Sequence, residues 1–430
     1  MEESVQSAVQ SERRSLFPVH EDWVSVILGF LIIILSLAWF VVPAPNFRWE
    51  TWQQLGGQVF GPDNLTAMLV QFLFIGVVAA GGILLTGKSV RYFLGVFPVV
   101  YVVAILALII EGNSAVRDLN LEAVIFSLTI GLLIGNLFRL PEWFRLLLTT
   151  ELFVKIGLVL LGTRIIFSDI LESGSLGLVQ ASIVVLVVWY FAWWVCKKFR
   201  LDDEMTMMIS SAVSICGVSA AIATAGAIKG DTRKLSYVIS LVLIVAIPMM
   251  IFMPMIANHF HFSQEVTGAW LGGSIDTTGA VVASGTLVGD TALKVSTIVK
   301  FSQNVMLGIA AFAISIYWTY AGKGEDLAHV EKPGLGVIWD RFPKFVLGFV
   351  AASLVFSFAL SPTTVSSVSG SLKTIQTMWF VLAFTSIGLE TRFADLFLNN
   401  SRKPLYAFVI AQGFNVVVTL VVAWVLFGYL

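Results

Sequence analysis

Charge is scarce in this sequence. Only 12% of its 430 residues are Asp, Glu, Lys or Arg, while 57% are hydrophobic and the mean hydropathy is +0.90. An ordinary soluble domain carries about 25% charged residues, so a water-soluble globule is excluded. The 26 basic and 27 acidic residues nearly cancel, which rules out the clustered positive footprint of a nucleic-acid binder. Cysteine is almost absent. Cys196 and Cys216 both lie in apolar segments, so no disulfide framework is available. Of four histidines, His259 and His261 share a loop without cysteines or clustered carboxylates, so no metal site is expected. The sequence contains no H-E-x-x-H, G-x-S-x-G, Walker A or Asp-rich prenyl-diphosphate motif. No catalytic residue and no cofactor are assigned, and the chain does not read as an enzyme. Residues 1–22 are polar but lack the basic start and small-residue cleavage site of a signal peptide. The expectation is an all-α polytopic membrane protein.

Long apolar runs are what the sequence has in abundance. Thirteen candidate spans fall near 23–42, 65–85, 92–110, 122–138, 149–167, 176–196, 205–228, 235–256, 266–288, 295–320, 343–360, 375–391 and 405–428. With no water in the bilayer core, each must satisfy its own backbone as helix. A cytoplasmic N-terminus puts 16 Lys and Arg on inside segments and 7 outside, so the positive-inside rule predicts N-inside and C-outside. One loop dissents. The basic run Lys229 to Lys234 lands outside, a conflict that a re-entrant or displaced span at 205–228 would remove.

The first two spans carry little intramembrane polarity beyond Gln71 and read as an accessory hairpin over 23–91, ending at the basic link Gly87–Arg91. The remainder, 92–430, reads as a transporter domain, with a cytoplasmic loop at 321–344. The span count suggests an inverted 5+5 repeat, 122–256 and 266–428. Its broken crossing helices would then be the fourth spans, 205–228 and 375–391.

Polar groups at membrane depth mark the candidate site. Asp276 lies inside the Gly- and Thr-rich stretch Gly272–Gly279, with Gly273, Ser274, Thr277 and Thr278 around it. Desolvation favours the neutral form of a lone carboxyl, which casts Asp276 as carrier of a coupling proton. A structural ion pair is the plainer explanation. Lys300 begins the next span and either neutralises Asp276, attracts an anion or simply snorkels; Gln303 and Asn304 follow it. Ser214, Cys216, Gly217 and Ser219 form a second small, hydroxyl-rich stretch. It is either a helix–helix contact or a break whose half-helix N-terminus faces an oxyanion. Thr385 and Ser386, with Glu390 as a second coupling candidate, pose the same choice near the end of the chain. Glu151 and Lys155 stand at i,i+4 and read as a structural pair rather than a relay.

These stretches carry a resemblance. Ile156-Gly-Leu-Val-Leu-Leu-Gly162, Ser214-Ile-Cys-Gly-Val-Ser-Ala-Ala-Ile-Ala-Thr224, Gly273-Ser-Ile-Asp-Thr-Thr-Gly-Ala-Val-Val-Ala-Ser-Gly285 and Ile387-Gly-Leu-Glu-Thr391 resemble the YeiH-type (UPF0324-like) sulfate exporter family of bacterial inner-membrane transporters. The likeness covers roughly 92–430. It implies a fold related to bile-acid symporters and cation/proton antiporters, and a small oxyanion as cargo. Two departures stand out. Asp276 to Val281 replaces a His-Glu-Val-Ala-Gln-Val run, and Lys300-Phe-Ser-Gln303 replaces Lys-Met-Leu-Arg.

The sequence therefore predicts a secondary transporter of a small anion such as sulfate, sulfite or a sulfonate, working by alternating access in the inner membrane. Proton coupling fits Asp276, and a sodium- or proton-coupled symporter of organic anions or bicarbonate is the nearest alternative. An anion channel and an intramembrane enzyme are rivals of other classes. Partners are the anion, H⁺ or Na⁺ and the lipid bilayer, with no nucleic acid, and a homodimer stays open.

Overall fold

The computed structural model describes residues 19–38, 42–118, 122–320, 336–393 and 402–428. Most of the expected 321–344 loop lies outside the described residues. In chain order the principal helices are α1 (Glu21–Leu37), α2 (Pro62–Leu85), α3 (Val90–Glu111), α4 (Ala123–Leu137) and α5 (Thr150–Leu161). Next come α6 (Phe167–Lys198), α7 (Asp203–Ser214), α8 (Val218–Ile228), α9 (Thr232–His259) and α10 (Gln264–Ser274). The last five are α11 (Thr278–Val288), α12 (Asp290–Tyr320), α13 (Lys344–Leu354), α14 (Pro362–Glu390) and α15 (Lys403–Phe427). Among the described residues there is no strand beyond an isolated bridge at Trp49 and Asn113. Among the described residues eight helical runs are long and apolar enough to cross a membrane, and shorter apolar helices accompany them. This is an all-α membrane protein.

The chain forms two compact units, one of residues 1–167 and 344–391, the other of 168–343 and 392–430. The first unit gathers α1 to α5 with α13 and α14. Its α1 is not an add-on. Lys155 of α5 is 14% exposed at the side chain and meets Glu21 at 2.9 Å, Asp22 at 3.0 Å and Glu151 at 3.7 Å. Asp22 also accepts from the Lys344 amide at the start of α13, at 2.9 Å. The expected Glu151–Lys155 pair is thus present, but the stronger partners come from α1. The link at Gly87–Arg91 separates no units.

Helix α14 corrects a second expectation. The crossing span foreseen at 375–391 is unbroken, part of a 29-residue helix. The Thr385 and Ser386 hydroxyls turn back onto Val381 O and Leu382 O, both at 2.9 Å, so they free no backbone group. Gly388 serves a close helix crossing instead: a Cβ there would sit 2.5 Å from Leu128 O of α4.

The second unit holds both breaks, and neither helix pair crosses. The α7–α8 and α10–α11 pairs are re-entrant hairpins. Lys234, at the start of α9, pairs with Asp202 at 2.9 Å and Glu204 at 3.1 Å, so the chain leaves α8 where it entered α7. Asp202 also caps α7 by accepting from Met205 N. Likewise Gln264, the first residue of α10, accepts at Oε1 from Ala292 N, four residues past the end of α11 (3.3 Å). The hairpins approach from opposite ends of the 31-residue α12. Its early residues Ala292 and Ser296 pack on Gly268 and Gly272, and its later Leu307 and Ala311 pack on Ala220 and Ala223. This geometry also explains the dissenting loop, because Lys229 to Lys234 sits beside the entry of α7. Cysteines placed at Leu201 and Asp231 should therefore react with an impermeant thiol reagent from the same membrane face. Labelling from opposite faces would contradict the hairpin.

Candidate functional site

A helix that stops inside apolar surroundings leaves up to four carbonyls at its C-terminus and four amides at its N-terminus without partners. In the second unit α7 stops at Ser214 and α10 at Ser274, and their tips meet. Gly217 makes the meeting possible. Its φ of +61° and ψ of −109° suit glycine, and a Cβ there would lie 2.6 Å from Val242 Cγ1 and 2.9 Å from Asp276 Cβ.

Side-chain donors engage carbonyls at both tips. Lys300, in mid-α12 and wholly buried, donates from Nζ to Ile215 O, Ile275 O and Gln303 Oε1, each at 2.9 Å. That last contact orients the Gln303 amide, whose Nε2 donates to Ser214 O at 2.9 Å and Gly273 O at 3.2 Å. From α15, Gln412 Nε2 donates to Ser274 O at 2.7 Å. Asn415 Nδ2 reaches Val213 O at 3.1 Å and Ser274 O at 3.2 Å, and Thr419 steadies its oxygen at 2.9 Å. Lys300 is thus stabilised by the negative ends of two half-helix dipoles, and the Asp276 carboxyl also lies within Coulombic reach of it.

The amide ends differ. No side chain caps α8, whose N-cap is Gly217, and Ser219 in its first turn is exposed. At α11, Thr277 caps by accepting from Ala280 N at 3.3 Å, and Thr278 Oγ1 accepts from Asn304 Nδ2 at 3.3 Å. Both threonines are half-buried.

Asp276 stands at the junction, 2% exposed, with Oδ2 lacking a hydrogen-bond partner among the described residues. Gln412 lies within hydrogen-bonding reach of this carboxyl, and its Oε1 has no partner among the described residues.

Of the residues singled out in the sequence, the fold brings together Ser214, Cys216, Gly217, Ser219, Gly273, Ser274, Asp276, Thr277, Thr278, Lys300, Gln303 and Asn304. Ser214 is spent on Ser210 O at 2.7 Å, Gly273 is packed against Gln180 and Thr419, and Cys216 is buried. Thr385, Ser386 and Glu390 belong to the first unit, where Glu390 accepts from Thr150 Oγ1 at 3.0 Å. Sequence reasoning missed Gln412, Asn415 and Thr419. Their spacing of three and four places them on one face of an apolar helix, a signal that was available.

The family model described as Conserved hypothetical protein 698 matches residues 96–407. A UPF0324 membrane protein of Rhodopirellula baltica is 40% identical over 374 residues, covering 85% of this chain and 68% of that protein. The chain belongs to the UPF0324 family. A UPF0324 membrane protein of Nitratidesulfovibrio vulgaris is 37% identical over 383 residues, covering 85% of this chain and 65% of its own length. One from Nitrosomonas europaea is 26% identical over 477 residues, covering 94% and 95%. The chain thus spans about two thirds of the length of the first two relatives. No solved structure matches it.

In this UPF0324 protein each buried carbonyl stripped of its donor should cost about 1–3 kcal/mol. Lys300→Met orphans Ile215 O and Ile275 O and frees the Gln303 amide to turn, so it should destabilise more than Gln303→Leu. Thermal unfolding in detergent checks the order. Equal midpoints for wild type and Lys300→Met would show that the lysine does not hold the tips.

Proposed function

We propose that the protein is a secondary transporter of a small anion, with a proton carried on Asp276. One observation supports the reading above the rest: at the paired hairpin tips side-chain donors hold the carbonyl ends, while the α8 amide end has no side-chain cap and the α11 end has only Thr277. A half-helix N-terminus presents N–H groups and the positive end of a dipole, which suits an oxyanion. Ser219, Thr277 and Thr278 add hydroxyls on the same side of the breaks. Sulfate, sulfite and sulfonates are the cargo class this chemistry fits. The carbonyls that a sodium ion would use are already bound to Lys300, Gln303, Gln412 and Asn415, so protons are favoured over sodium as the coupling ion.

The coupling logic is electrostatic. With Asp276 ionised, its charge and that of Lys300 offset one another and the tips offer an anion no net attraction. With Asp276 protonated, Lys300 and the two dipole ends are left to hold the anion. Anion and proton therefore bind together. Two hairpins entering from opposite faces around a fixed midplane site are suited to alternating access. No covalent chemistry is involved in this reading.

The orientation follows from the same hairpins. Moving Lys229, Arg233 and Lys234 from the outside set of seven to the inside set of sixteen leaves nineteen basic residues inside and four outside. This bias supports a cytoplasmic N-terminus and an external C-terminus, with the inner membrane as the proposed location.

Currents from reconstituted protein on a solid-supported membrane test the proposal, screened over sulfate, sulfite, sulfonates, carboxylates and bicarbonate. Wild type should give anion currents that grow several-fold with an inward proton gradient. Asp276→Asn mimics the protonated carboxyl; it should still bind anion, with currents indifferent to the gradient. Equal gradient stimulation in both proteins would remove Asp276 from the coupling role.

A further inference from the structure

The first unit has an open cleft of about 770 Å³ at the helix ends that carry the 42–61 and 112–118 segments, its cations exposed at the rim. Three cations line it from three different segments: Arg48, Arg117 and Lys373. None of the three is ion-paired among the described residues. Two carboxylates, Glu111 and Glu122, also line it, and Glu111 lies within Coulombic reach of Arg117 and Arg48. Positive charge remains in excess. Leu108 and Met378 add apolar wall.

The wall is rigid. Trp49 N donates to Gly112 O and Ser114 N to Trp49 O, both at 3.0 Å, and the Trp49 indole donates to Ile109 O at 2.7 Å. Gly112 is tightly packed, since a Cβ on it would run into Phe47 O. Arg48 is thereby held over the end of α3 by backbone pairing rather than by its own side chain, which stays free to bind.

We propose that this cleft is a binding site for a small organic anion, a carboxylate or sulfonate with an apolar body, separate from the hairpin tips. Guanidinium forks at Arg48 and Arg117 recognise the planar or tripodal oxygen face, and Lys373 adds a point charge from α14. The volume falls within the range of small-molecule pockets and exceeds what a bare inorganic ion fills. Leu108 and Met378 give a small apolar contact that favours an organic body over a bare ion. The inference rests on the first unit alone, so failure of the transport reading would leave it standing.

The test needs a readout local to the cleft, because the hairpin tips are proposed to take a similar head group. Full-length protein labelled with 5-fluorotryptophan supplies one, with the Trp49 resonance assigned by its loss in Trp49→Phe. Titration with ethanesulfonate should shift that resonance saturably. Arg117→Gln and Lys373→Gln should each weaken the effect by about tenfold, the usual worth of one charge-assisted contact. Asp276→Asn should leave it unchanged, and inorganic sulfate should act more weakly than ethanesulfonate. No shift in wild type, or an undiminished shift in the Arg117→Gln/Lys373→Gln double variant, would overturn the proposal. Sulfate acting as strongly as ethanesulfonate would overturn the organic part of it.

Discussion

One ammonium group sets the terms for the second unit. Lys300 is wholly buried in the middle of α12, where hairpins from opposite ends bring their broken tips. An isolated charge at membrane depth is costly, and so is a helix end with bare carbonyls. Placed together, the two liabilities offset each other. The lysine finds three oxygen acceptors, and the tips find donors fixed on a continuous helix. Other features of the site follow: Gln303 is oriented by Lys300, Gly217 lets the tips close, and Asp276 is one charge within reach of the lysine rather than its sole partner.

A partly buried lysine in the first unit makes the contrast clear. Lys155 is compensated by carboxylates, Glu21, Asp22 and Glu151, and so forms a closed structural ion pair. Lys300 is compensated by neutral carbonyls and an amide. A lysine satisfied in that way keeps its net charge available to whatever enters beside it. The same residue type therefore serves packing in one unit and charge presentation in the other.

Much of this was legible in the sequence. Apolar run length located the helices, because backbone satisfaction in lipid leaves no alternative. The breaks at 215–217 and 275–277 announced themselves by glycine and hydroxyl density around a lone Asp. Even the re-entrant path left a trace, in a basic loop on the wrong side of the charge tally. Other features were not legible for physical reasons. Whether Thr385, Ser386 and Gly388 break a helix or pack one depends on the neighbour they meet, here α4, and local composition is the same in both cases. The keying of α1 into the first unit depends on contacts between residues 134 apart, as in Glu21 to Lys155. Gln412 and Asn415 looked like isolated amides in a plain span until the fold carried the tips of α7 and α10 to them.

The central claim is that anion and proton occupy the hairpin tips together, and proton uptake on anion binding tests it most directly. Purified protein in weakly buffered detergent solution, at a pH alkaline enough for Asp276 to be ionised beforehand, is mixed with sulfate while a pH indicator is followed. Wild type should take up close to one proton per anion bound, and Asp276→Asn should bind anion with no proton uptake. Anion binding without proton uptake in wild type, or the same uptake in Asp276→Asn, would contradict the account.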